Sequence, residues 1–277
     1  MTLDDHARFE CKFCILLYQC TYTYVNNIDL GNTPSPDVPK YTIIFLSIVV
    51  NSLIFYLLPS KLTPLLKSYV ISSIHAIICV GSVINFFARY SVNLKQVNRI
   101  AGGGVYGTGD EIMTYSICYS LGYFTYDLLL MLFYKSVRTT AALAHHIIIL
   151  LAFYAGAING ICHPCHFYLL AEELSTIPLN LKALYHHRPR LYAIFGYLFI
   201  FTFLVSRLVY GSIVCGYAFG AAPAFFQMAF NAGDLTSVTF GLMQGSLCLL
   251  TRVLNIYWTI LILRKILRPS KPKKKSS

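Results

Sequence analysis

The 277 residues predict an all-α fold, a polytopic transmembrane helical bundle of about seven spans, with six as the alternative. Three observations carry this. Hydrophobic residues make up 56% of the chain and charged residues 12%, with a mean hydropathy of +0.60, a balance soluble domains do not have. The apolar residues fall in runs of about 17–25, the length that crosses a bilayer. The basic residues behind the formal charge of +11 gather at the ends of those runs. The charge is therefore a topology signal, and no nucleic-acid partner is expected.

Residues 1–40 read as an N-terminal segment closing on the linker Asn32-Thr33-Pro34-Ser35-Pro36. Asp4, Asp5 and Glu10 give its start the wrong charge for a secretory signal, so none is expected. A first span lies within 41–63, near 41–58. Six more are expected at 66–88, 112–134, 141–160, 161–181, 192–216 and 236–263. The fourth and fifth meet at Asn159-Gly160 with almost no loop, which predicts an antiparallel helical pair. Residues 269–277 form a basic tail.

With a lumenal N-terminus, the cytosolic loops carry Lys61 and Lys67, then Lys135 and Arg138, then Lys182, Arg188 and Arg190. The tail adds the densest basic cluster. Arg8, Lys12, Lys40, Arg89, Lys95 and Arg99 fall on the other side, a smaller set. This bias predicts a cytosolic C-terminus. Lys274 and Lys275 stand fourth and third from the end. They have the form of a dilysine address recognised by coat proteins, which returns membrane proteins to the endoplasmic reticulum. The tail would also be drawn to anionic headgroups.

Two CxxC pairs occur, Cys11/Cys14 and Cys162/Cys165, the second interleaved with His163 and His166. They read as disulfides or free cysteines ahead of redox or metal motifs, because CxxC alone is a weak signal. The Gly102-Gly103-Gly104 stretch lacks the strand–loop–helix setting of a phosphate cradle, so no nucleotide is expected.

The information sits in the polar exceptions inside the spans: His75, Asp127, His145, His146, Glu172, Glu173, Arg207 and Arg252. Ionisable groups within a membrane are expensive and usually face a protein interior or a water-filled cavity. Adjacent helical residues point about 100° apart, so His145 and His146 should meet different neighbours. Counting ~1.5 Å per residue from the expected span ends puts His75, Asp127, the two histidines and the two glutamates in neighbouring cytosolic-side layers. On the same count Arg207 falls in the lumenal half. Pro178 should kink the fifth span, with a nearby Ser or Thr re-satisfying the freed carbonyl. A histidine beside a carboxylate suits general acid–base work or acyl acceptance, which makes His145, His146, Asp127 and Glu173 the catalytic candidates. His75, Ser175, Thr176, Asn180 and Arg207 are the lipid-binding candidates. Adjacent histidines are awkward for a single ion, and no metal site is expected.

An ordered set of these residues resembles the TLC domain. It comprises Ser72-Ser73-Ile74-His75, Gly122-Tyr123-Phe124-Thr125-Tyr126-Asp127-Leu128, His145-His146, Glu173-Leu174-Ser175-Thr176 with Asn180, Arg207 after Phe201-Thr202-Phe203, and Leu254-Asn255-Ile256-Tyr257-Trp258. That domain is shared by ceramide synthases, translocating-chain-associating membrane proteins and the protein lost in one neuronal ceroid lipofuscinosis. The chain is most similar to the small TLC domain-containing branch, over residues 64–268. The resemblance implies an internal-membrane bundle enclosing a lipid cavity, with membrane lipids as partners and a role in phospholipid or sphingolipid homeostasis. In ceramide synthases the paired histidines belong to acyl transfer from coenzyme A, so acyl-CoA is the co-substrate an enzyme reading would require; no other cofactor is evident. The synthase signature continues with His-Asp and a further aspartate, where this chain has Ala171-Glu172-Glu173-Leu174-Ser175. The expected function is binding or regulation of acyl lipids, with an acyltransferase and a trafficking receptor as alternatives.

Overall fold

A computed structural model describes residues 40–89, 111–159 and 161–267 of the chain. The Cys11/Cys14 pair, the Gly102–Gly104 loop and the Lys274/Lys275 address lie outside the described residues. Helix α1 spans Lys40–Leu57, α2 Pro64–Arg89, α3 Glu111–Phe133 and α4 Thr140–Asn159. After them come the short α5, His163–Leu169, a 3₁₀ segment at Leu170–Ser175 and α6, Thr176–Leu184. Helix α7, Pro189–Phe203, passes through a π-helical segment, Leu204–Tyr210, into α8, Gly211–Asn231, and α9 spans Leu235–Leu267. Among the described residues six helices are long and apolar enough to cross a membrane, α7 to α8 counting as one run of 43 residues. The molecule is an all-α, polytopic helical bundle.

Two expected spans differ from those observed. The fifth is not one α-helix but three pieces of 7, 6 and 9 residues, which together still reach about the length a bilayer core requires. Its irregularity sits upstream of the expected proline kink. Pro178 lies in the first turn of α6, where its missing N–H costs nothing. The 3₁₀ segment instead carries the glutamates and ends where the Ser175 hydroxyl donates to the Glu172 carbonyl at 3.1 Å. The sixth span continues beyond 216 to Asn231, through Pro223. A proline inside a membrane helix is tolerated when neighbouring groups cover the freed carbonyl.

Lipid outside the bundle is as apolar as a leucine core, so packing and interhelical hydrogen bonds hold it together rather than removal of apolar surface from water. The packed centre joins α2, α3 and α5, where Ile71, Met113, Ile117, Leu121 and Phe167 are fully buried. Helix α1 lies directly on α3 because position 122 is glycine. A Cβ there would strike the Ile44 carbonyl and the Ser47 side chain. Ser47 also donates to the Tyr119 carbonyl at 2.7 Å. Lys67 donates to the carbonyls of Phe55 at 3.0 Å and Leu58 at 2.8 Å, satisfying the C-terminal end of α1.

Candidate functional site

Three polar assemblies are built inside the bundle. The first joins α3 to α4. His146 Nε2 stands 2.9 Å from Asp127 Oδ2, and its Nδ1 is 2.9 Å from the Ala142 carbonyl. A carbonyl only accepts, so Nδ1 carries a proton. The Nε2–Asp127 contact then requires one further proton, held by the ring or by the carboxyl. The dyad is thus a one-proton unit in a buried setting, with Ser68 donating to the other Asp127 oxygen at 3.4 Å. His145 points elsewhere, edge-on to Trp258 with ring centroids 5.3 Å apart.

The second assembly joins the 3₁₀ segment to the π-helical segment. Arg207 Nη2 reaches Glu173 Oε1 at 3.3 Å, and Arg207 Nε donates to the Ser175 hydroxyl at 2.9 Å. Thr176 donates to Glu173 Oε2 at 2.6 Å. Arg207 therefore sits at the level of Glu173, although the count from the span ends separates the two. The count along a regular span placed it too far away because both partners lie on irregular helix. Such irregularity is tolerated where the protein itself re-satisfies the backbone. The Arg207 guanidinium also lies 5.8 Å from the Trp258 ring, so one indole bridges His145 and Arg207.

The third assembly pairs Glu172 with Arg252 of α9. Asn255 donates to Glu172 Oε2 at 3.3 Å, and Arg252 Nη1 donates to the Arg207 carbonyl at 2.8 Å, tying the second and third assemblies together. Gly211 makes room for this pair, because a Cβ there would collide with Glu172 and Arg252. Glu172 and Glu173, neighbours in sequence, thus take different arginines from different helices. Each buried charge has its partner, the condition under which buried charge is tolerated.

The other sequence candidates bond elsewhere, although the charges of Glu173 and Asp127 reach His75. His75 is fully buried, stacked on Tyr123 at 3.8 Å, with Nε2 3.2 Å from Ser120 Oγ and 3.1 Å from Cys79 Sγ. Asn180 is buried, and its Nδ2 has no hydrogen-bond partner among the described residues.

A cavity of about 260 Å³ opens between α4, α5, α8 and α9. Phe153, Phe219, Phe225 and Phe226 wall it, and His166 and Gln244 supply polar surface. His166 stacks on Phe153 at 4.9 Å and its Nε2 meets Gln244 Oε1 at 3.2 Å. Gln244 in turn donates to the Ala152 carbonyl at 2.8 Å. His75, His145, His146, Asp127, Glu173, Ser175, Thr176, Asn180 and Arg207 do not line it. The cavity nevertheless ends close to them. Ile149, which lines it, is one turn along the same face of α4 from His145, and Thr251, which also lines it, precedes Arg252. Sequence reading missed Gln244 and the phenylalanines of α8. Gln244 is the one amide side chain between Leu235 and Leu254, which was the available signal, and the phenylalanines lie beyond the point where the sixth span was expected to stop.

The fold and this ordered set of buried polar groups define an integral membrane protein of the TLC class. The model of the TLC domain, of the TRAM, LAG1 and CLN8 type, matches residues 66–264, and the chain belongs to that family. None of the curated proteins compared matches it in sequence.

Proposed function

We propose that the protein binds acyl lipids within the bundle and serves membrane phospholipid or sphingolipid homeostasis. The observation that carries this is the cavity. Its aromatic and aliphatic walls suit an alkyl chain, and its volume, just below the usual ~300–1,000 Å³ of ligand pockets, suits part of a lipid rather than the whole of one. A chain lying there would place its more polar end toward Thr251 and Ile149, a turn from His145. Mass spectrometry of lipid extracted from the purified protein tests the reading. A recurring lipid class retained at fixed stoichiometry is expected, and lipid in bulk-membrane proportions would contradict it.

A second reading, acyl-CoA-dependent acyl transfer, is favoured by the His146–Asp127 dyad. Both ring nitrogens are engaged in the dyad, so His146 Nε2 would take the proton of an attacking amine or hydroxyl once it has parted from Asp127, with the shared proton left on the Asp127 carboxyl and the coenzyme leaving as a thiol. Loss of turnover in His146→Ala at normal protein level supports it; unchanged turnover refutes it.

We place the protein in the endoplasmic reticulum with a cytosolic C-terminus, supported by the basic bias and by Lys274 and Lys275. Replacing both lysines by serine should relocate it to later compartments. Unchanged localisation would remove the coat-protein partner and, with it, the main support for a trafficking receptor.

A further inference from the structure

We propose that His166 Nδ1 accepts a hydrogen bond from a hydroxyl carried partway along the bound acyl chain, so that the cavity selects hydroxylated chains. This rests on the reading of the cavity as an acyl-lipid site and names the chain that site prefers. The Ala152 carbonyl only accepts, so Gln244 turns its amide nitrogen to it, at 2.8 Å, and its oxygen to His166. That oxygen also only accepts, so the ring proton stands on Nε2, 3.2 Å away. Among the described residues no charged side chain lines the cavity. A second ring proton would be a buried charge with no counterion on the wall, which is costly, and Nδ1 keeps its lone pair. His166 is 5% exposed. Of the described cavity-lining residues it alone has a buried side-chain nitrogen or oxygen without a hydrogen-bond partner.

Nδ1 faces Gly156, which continues the α4 face of Ile149, Ala152 and Phe153 along the cavity. A Cβ at 156 would stand 2.6 Å from Nδ1, so glycine is what leaves this edge of the ring uncovered. Gly156 lies seven residues from Ile149, and Gln244 seven from Thr251. Both helices therefore set the imidazole about 10 Å from the end of the cavity where the polar end of the lipid leaves. The group that meets Nδ1 is thus on the chain and not in the headgroup. It donates, because Nδ1 accepts, and it is uncharged, because an ammonium would have no counterion here. A mid-chain hydroxyl meets all three conditions, whereas an ether or an ester oxygen only accepts. In the bilayer core such a hydroxyl lacks a partner, so binding gains a hydrogen bond at both ends.

The test reconstitutes the purified full-length protein in nanodiscs with equal amounts of phosphatidylcholines carrying an oleoyl, a ricinoleoyl or an O-methylricinoleoyl chain. Native mass spectrometry then reads which lipid stays bound. Ricinoleoyl is oleoyl with one mid-chain hydroxyl, and its methyl ether keeps the oxygen but cannot donate. We expect the ricinoleoyl lipid to be enriched roughly fivefold over both others, the worth of about one hydrogen bond. In His166→Phe with Gln244→Leu, which replaces both partners by apolar side chains of similar shape, the enrichment should vanish with oleoyl lipid still bound. Lipid bound without preference for ricinoleoyl, or the ether enriched as strongly, overturns the proposal and leaves the acyl-lipid reading standing. No lipid bound in any disc contradicts both. The wild-type comparison decides even if the double variant does not fold.

Discussion

Asp127 and His146 are the pair in which one side chain most directly sets the state of another. They share a proton across 2.9 Å in a site without bulk water. Asp127→Asn keeps the volume but replaces the carboxylate with an amide that donates to the ring. We expect this variant to fold normally and to lose any proton-transfer activity, whereas Asp127→Leu should lower thermal stability by stranding the histidine. Melting curves in detergent, run beside a turnover assay, separate the two effects. Arg207 and Glu173 behave differently because both are charged. Removing one partner of such a pair leaves an uncompensated charge, a loss of about 3–5 kcal/mol, while replacing both is often nearly neutral. Arg207→Met alone should therefore be strongly destabilised, and Arg207→Met with Glu173→Gln should recover much of the loss in denaturant titrations. Equal stability of the single and double variants would show that the uncompensated Glu173 charge is not the source of the loss.

At the scale of elements, the irregular segments position the chemistry. The 3₁₀ turn sends Glu172 to α9 and Glu173 to the π-helical segment, and Gly211 lets the first of these contacts form. Gly211→Ala should break the Glu172–Arg252 pair and loosen α9, read as faster hydrogen exchange along its middle turns, with the His146–Asp127 dyad unaffected. The N-terminus of α9 is held by Asp234, which accepts from the Ser237 amide at 2.9 Å and hydroxyl at 2.6 Å. These bonds hold its carboxyl below the ordinary 3.8. The cap's contribution is therefore complete above that value and is lost as pH falls through the lower folded-state value. Fraying of the first turn of α9 should appear only in that acid range, and Asp234→Ala should show it already at neutral pH. Most of this layer was partly legible beforehand. Apolar run length located α1 to α4 closely, because regular helices in lipid need little else. It misjudged the segment after Asn159 and the reach of α8, where tertiary contacts rather than periodicity decide the backbone. The depth count that separated Arg207 from Glu173 failed for the same reason.

For the whole molecule, the bundle divides its labour between two regions. The ion-paired side joins α3, α4, the irregular segments and α9 through charges that are all matched, and an aromatic link through Trp258 ties His145 to Arg207. The other side, between α4, α5, α8 and α9, keeps a cavity open. The histidines and carboxylates were visible in the sequence because charge stands out in an apolar run. The place of the cavity was not, although the family resemblance implied one, because its walls are the same phenylalanines and leucines as the lipid-facing surface, and only tertiary packing distinguishes them. If this cavity holds lipid, filling it should expel the lipid. The most direct test is the lipid-to-protein ratio of the purified protein, measured by mass spectrometry for the wild type, for Ala222→Trp, which fills the cavity, and for Ala224→Trp, which adds the same bulk to an exposed neighbouring position. Retained lipid is expected in the wild type and Ala224→Trp, and its loss in Ala222→Trp. The same lipid content in all three would contradict it.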